Sequence, residues 1–155
     1  MSIHRALFAS AFSTEAGRSL GVGLLAIRMY VGGALLVAHA VPKLRELGAG
    51  DPHFVHLVAT MGFPAPALFA WLAALTQAAG SAALGLGLVT RPAALGVAST
   101  LLIGMIGVHH GDAFAVVEAG SAYVAVMLAL AMIGPGDLSL DRRIHDALVG
   151  PAARR

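Results

Sequence analysis

Four long apolar stretches alternate with short breaks rich in glycine, proline and charge. The first is Leu20–Val41, closed by Pro42, and the second is Pro66–Leu88, which follows the turn-rich run MGFPAP. The third, Pro92–Val108, starts with proline in its first turn, where a missing N–H does no harm. The fourth, Ala113–Ile133, has Asp112 as its expected N-cap and stops at Gly134-Pro135-Gly136. Each is about 17–24 residues long, enough to cross a hydrocarbon core of roughly 30 Å. Backbone groups in lipid must be bonded within their own segment, and no barrel-like alternation appears, so the segments must be helices. The pattern predicts an all-α integral membrane protein. A four-helix transmembrane bundle occupies residues 20–134, with a cytoplasmic N-terminal segment over 1–19 and a cytoplasmic tail over 135–155.

The breaks carry structure of their own. The stretch from Leu44 to Phe63 is too long for a hairpin and too polar to span. Its Phe54, Leu57, Val58 and Met61 fall at i, i+3, i+4 and i+7, which predicts a short surface helix between helices one and two, lying over the bundle as a lid. Ser139–Val149 predicts another short helix, capped by Ser139, with Arg142 and Arg143 toward cytoplasm and lipid headgroups. Ahead of the first span, Ile3, Leu7, Phe8 and Phe12 fit an amphipathic surface helix. The apolar run after Arg5 is too short for the roughly 7–15 residues of a signal-peptide core, so the first span is expected to be an uncleaved anchor. Ala79, Ala83 and Gly87 make a small-residue face that suits close helix packing and permits a homo-oligomer.

Composition agrees with lipid. The 155 residues are 58% hydrophobic before glycine is counted and 12% charged, against roughly 45–50% and 25% in soluble domains. Ten Lys and Arg stand against eight Asp and Glu, scattered over ends and loops, so nucleic-acid binding has no support. There is no cysteine, which excludes disulfides and thiol chemistry. Arg5, Arg18, Arg91, Arg142, Arg143, Arg154 and Arg155 flank one end of the predicted spans, and the loop HHGDAF has neither Lys nor Arg. That asymmetry places both termini in the cytoplasm; Lys43 and Arg45 count against it, with Glu46 and Asp51 beside them.

With this topology, a rise of about 1.5 Å per residue sorts the polar side chains by depth. An outer layer gathers His39, Lys43, His109, His110, Asp112 and Glu118; a middle layer holds Arg28 and Gln77. Glu118, a carboxylate one turn inside a span, is the leading candidate for acid/base work, with His109 beside it as a relay. A structural pairing with His39, His109 or Lys43, or with the dipole of its own helix, is the other reading. Arg28 either binds an anionic or carbonyl-bearing ligand within the bundle, or reaches toward the headgroups and ties helices together through Gln77. No metal site is predicted. His109 and His110 point about 100° apart on a helix, and no three or four ligands converge. Met29, Met105, Met127 and Met132 read as packing.

The succession LAIRMYVGGALLVAHAVPK, FVHLVATMGFPAP, LGLVTRPAA, HHGDAF with an acidic residue after it, and GPGDLSLD resembles the DoxX family of four-helix bacterial membrane proteins, over Leu20–Asp141. The resemblance implies a membrane subunit linked to a quinone-dependent oxidoreductase, of the kind in thiosulfate:quinone oxidoreductase, or to a redox-stress complex. Carried over by position, the family's residues are Arg28, His39, Lys43, Glu118, Gly134, Gly136, Ser139 and Asp141. Many relatives carry Glu in helix two where this chain has Gln77, and a neutral amide can neither balance Arg28 nor move a proton.

The expectation is therefore an inner-membrane, multi-pass subunit that binds a quinone headgroup. Arg28, His39, Lys43 and Gln77 are its cofactor-binding residues, and Glu118 and His109 serve proton exchange. No haem, flavin or iron–sulfur motif is present, so electrons come from a redox partner protein or a soluble donor. The alternative is a non-catalytic membrane scaffold or anchor for a partner, or a small transporter.

Overall fold

The computed structural model describes residues 16–149, and those residues form helices joined by short turns, with no strand among them. The N-terminal amphipathic helix expected over Ile3–Phe12, like Arg154 and Arg155, lies outside the described residues. Among the described residues, four helices are long and apolar enough to cross a membrane: Leu20–Gly48, Pro66–Leu86, Thr90–Val108 and Phe114–Ile133. We label the helices α1 (Ala16–Leu35), α2 (Val41–Gly48), α3 (His53–Thr60), α4 (Pro66–Leu86), α5 (Thr90–Val108), α6 (Phe114–Ile133) and α7 (Leu140–Val149). α1 and α2 are two parts of the first span.

The first span does not end at Pro42. It continues as a single helix of 29 residues to Gly48, through a π-helical turn at Leu36–Ala40. Proline lacks an N–H and its ring crowds the carbonyl four residues back. Here the wide turn comes just before it, with Val41 N–H bonded to Leu36 O, five residues back, and Pro42 then sits in the first turn of α2. At about 1.5 Å per residue the span is roughly 43 Å long, more than a hydrocarbon core needs. The surplus is the polar end carrying Lys43, Arg45 and Glu46.

The bundle is built by successive neighbours: α1 packs on α4, α4 on α5, and α5 on α6. α6 does not close back tightly on α1. Lipid offers no hydrophobic drive for helices to associate, so contact relies on small residues that let backbones approach. Gly32 supplies the closest approach: a Cβ there would stand 2.6 Å from Ser81 O and 3.0 Å from Gly85 N. Gly80 does the same toward α5, where a Cβ would meet Val97 at 2.6 Å. The close-packing face of α4 is therefore Ser81–Gly85 with Gly80, one step round from the expected Ala79–Ala83–Gly87 row; Ala79 is exposed.

Two apolar clusters stack along the bundle. One, at the end carrying α7, contains Leu24, Val31, Leu35, Leu84, Val97, Met127 and Leu130. The other, at the opposite end, contains Leu47, Phe54, Val58, Ala70 and Ala74. The second cluster exists because α3 folds over that end as the apolar stripe predicts, burying Phe54 and Val58. Asp51 Oδ1 accepts the His53 N–H at 2.9 Å, and the His53 ring lies 3.3 Å from the Glu46 carboxylate, tying this lid to α2. We call the two ends of the molecule the lid end and the tail end.

Candidate functional site

Under the lid lies a cavity of about 610 Å³. α3 roofs it with Phe54, Leu57 and Val58; Phe69, Leu72 and Thr76 of α4 and Ser99, Thr100 and Met105 of α5 form its walls; Val116, Val117 and Gly120 of α6 complete it. The lining is mainly apolar. Its titratable members are His39, Lys43 and His109, so among the described residues its lining offers hydrogen-bond donors and no carboxylate.

Lys43 is held in place rather than free to wander. Its Nζ donates to Gln77 Oε1 at 2.8 Å and stands 5.2 Å from the centre of the Phe54 ring, within cation–π range. A π-helical turn adds about one residue to the helical register, rotating everything after it by about 100°. The turn at Leu36–Ala40 therefore decides which way Lys43 faces. Gln77 is buried, and among the described residues neither its Nε2 nor the hydroxyl of Ser81, one turn along the same helix, has a hydrogen-bond partner. His39, in the π turn, is exposed at the mouth of the cavity, its ring edge-on to Tyr123 with centroids 6.0 Å apart.

Of the residues predicted from sequence, His39, Lys43 and His109 meet at this cavity, and Gln77 anchors it through Lys43. His109 Nδ1 lies 2.8 Å from Asp112 Oδ2. That pairing occupies the carboxylate expected to cap α6, whose cap residue is Ala113 with no side-chain bond. Glu118 does not join the group: it is exposed on α6 and does not line the cavity, and its backbone carbonyl accepts the Ser121 hydroxyl at 2.7 Å.

Arg28 lies elsewhere as well. It is fully buried toward the tail end, where NH2 donates to Leu138 O and Nε to Leu24 O at 3.4 Å. Its guanidinium fills the space beside Gly87, so any Cβ there would collide with it. Gly87 ends α4 in the left-handed conformation, φ 67°, and its carbonyl accepts the Asp141 N–H at 2.9 Å. Asp141 in turn accepts from Val89 N–H at 2.7 Å and from the Thr90 N–H and hydroxyl at 2.9 Å each, capping α5 from 51 residues away in sequence. Burial raises the Asp141 carboxyl, but the bonds from Thr90 and Val89, with the Arg28 charge nearby, outweigh it and hold the group below the ordinary carboxylate value. Ser139 caps α7 as expected, accepting the Arg142 N–H at 3.1 Å. Gly134–Asp141 is thus a clasp that ties Arg28 of α1 to the end of α4 and the start of α5. Sequence reasoning linked Arg28 to Gln77 because both are mid-span. GPGDLSLD, with Ser139 and Asp141, stood out in the sequence, but nothing local pointed to its folding back onto Arg28 and the start of α5.

The four apolar spans, close helix packing and a cavity under a surface lid define a multi-pass, all-α membrane protein. A model of the DoxX family matches residues 23–110, more than half of the chain, and the protein belongs to that family. The match takes in the first three spans and the lid, with Arg28, His39, Lys43, Gln77 and His109; Glu118 and the clasp lie beyond it. No curated protein and no solved structure matches the chain.

Proposed function

We propose that this protein is a bacterial inner-membrane subunit of a quinone-linked redox system and that a quinone-type headgroup binds at the Lys43 end of the cavity. The observation that carries the reading is Lys43, fixed by Gln77, in the wall of an apolar chamber whose described lining has no carboxylate: it offers an oriented donor to a carbonyl oxygen. A bound quinone would supply the two-electron, two-proton chemistry. The chain's own residues would bind and orient it: Lys43 Nζ and His39 donate to the carbonyl oxygens, Phe54 and Phe69 flank the ring, and the lid keeps water out. His109 with Asp112, at the mouth, would exchange protons with the medium. Electrons would come from a partner protein or soluble donor. Arg28 has a holding role in this reading, and Glu118 is left to a partner or to the membrane surface.

The orientation, with both termini cytoplasmic, is supported by the bond between Lys43 and Gln77. A lysine engaged within the bundle no longer counts as a loop cation, which leaves Arg45 beside Glu46 at the lid end against Arg91, Arg142 and Arg143 at the other.

The test is identification by mass spectrometry of molecules that co-purify with the protein in native-like lipid. Quinone should accompany the wild type and Glu118→Gln and be lost from Lys43→Met and from Lys43→Met/Gln77→Leu. Phospholipid alone in every sample would overturn the reading and favour a scaffold for a partner protein.

A further inference from the structure

Tight packing closes the cavity at several of its seams. The π turn and α2 pack directly on α4, tied by the Lys43–Gln77 bond. Between α5 and α6, a Cβ on Gly120 would stand 3.1 Å from Met105 Sδ. Over α5, the residue that ends the lid helix, Met61, sits on Gly107 so closely that a Cβ there would meet it at 2.8 Å. The side between helix one and α6 differs. α6 is not among the close neighbours of α1, the π turn or α2. His39 and Tyr123 meet there edge-on, and beyond them His39 and Val116 are exposed while lining the cavity. Both belong to segments long and apolar enough to cross a membrane.

We infer that the cavity is filled sideways from the lipid, through a portal between the lid-end halves of helix one and α6, and that its occupant is a lipid-borne amphiphile with a carbonyl or phenol oxygen at its head. The head class rests on the function proposed above; the portal rests on packing. A molecule entering at His39 would slide its head toward the Lys43 donor and leave its chain between the helices in contact with acyl chains. Nothing in this route requires the ligand to cross the polar lid.

The chain's lack of cysteine and its single tryptophan make the portal testable. Trp71→Phe with Phe69→Trp moves the only indole into the cavity wall, and His39→Cys with Val116→Cys provides a site for a short bis-maleimide bridge across the portal. The four changes are made in one protein, reconstituted in phosphatidylcholine vesicles with brominated acyl chains, and bridged and unbridged samples are compared. Bromolipid should quench the cavity tryptophan before bridging, and bridging should remove most of that quenching. Equal quenching in both samples, or none before bridging, would overturn the portal. Vesicles of ordinary phosphatidylcholine containing a long-chain ubiquinone form the second arm. Quenching by quinone that is lost on bridging supports the occupant proposed. Gated bromolipid quenching, with no quinone quenching even in the Trp71→Phe/Phe69→Trp protein that keeps His39, leaves the portal standing and overturns the quinone headgroup.

Discussion

Asp141→Asn removes one charge from the clasp while keeping its shape. The wild-type carboxylate accepts three bonds at the start of α5, from Val89 N–H, Thr90 N–H and the Thr90 hydroxyl. The asparagine carbonyl can keep one of them, and the Thr90 hydroxyl can turn to accept from the new amide. One backbone N–H then loses its partner. A hydrogen bond to a charged group contributes about 1.5–3 kcal/mol, and a negative charge at a helix N-terminus about 0.3–1 kcal/mol more. Asp141 is partly exposed, so water replaces some of the loss. The net cost should be about 2 kcal/mol. For a domain of 150–250 residues that corresponds to a fall in melting temperature of about 4–8 °C. The assay is helix loss on heating in mild detergent, followed by circular dichroism from pH 7 to pH 3. Because the folded carboxyl is held below its ordinary value of 3.8, its contribution is complete above that value and is lost as pH falls through the folded one. The gap between wild type and variant should be constant from pH 7 to about pH 5 and close below about pH 4. Equal melting at pH 7, or a gap undiminished at pH 3, would refute the clasp's electrostatic role.

Gly32→Ala should destabilise the bundle by about 3 kcal/mol, since the added methyl meets backbone atoms of α4 that cannot turn aside; the same melting assay reads it. Lys43→Met should cost about 1–3 kcal/mol by leaving Gln77 Oε1 unpaired, while Lys43→Met/Gln77→Leu recovers most of the loss, a coupling that a double-mutant cycle measures. Val89, the one non-glycine residue at positive φ among those described, holds φ 40° and is half-exposed. Val89→Gly should relieve about 1 kcal/mol of strain and raise the melting temperature.

The spans, the lid helix and the Ser139 cap were legible in the amino-acid order because each depends on local physics. Apolar length against a bilayer, i, i+3, i+4 spacing, and a hydroxyl ahead of a helix are all properties of neighbouring residues. The DoxX resemblance was legible for the same reason, since it rests on short runs in a fixed order. The partners of the buried polar groups were not. Depth along a helix places Arg28 and Gln77 near each other, but it does not say which way either side chain turns. A π turn that no local signal specifies decides where Lys43 faces and gives Gln77 its partner, and the folding back of Gly134–Asp141 decides the partner of Arg28. Glu118 shows the same limit: its depth was readable, whereas its exposure on the outside of α6 depends on how that helix is rotated against α5. The choice of side for a portal depends on which pair of helices is left unpacked, and that is set by the packing of α2 on α4 and the close approaches at Gly107 and Gly120 together.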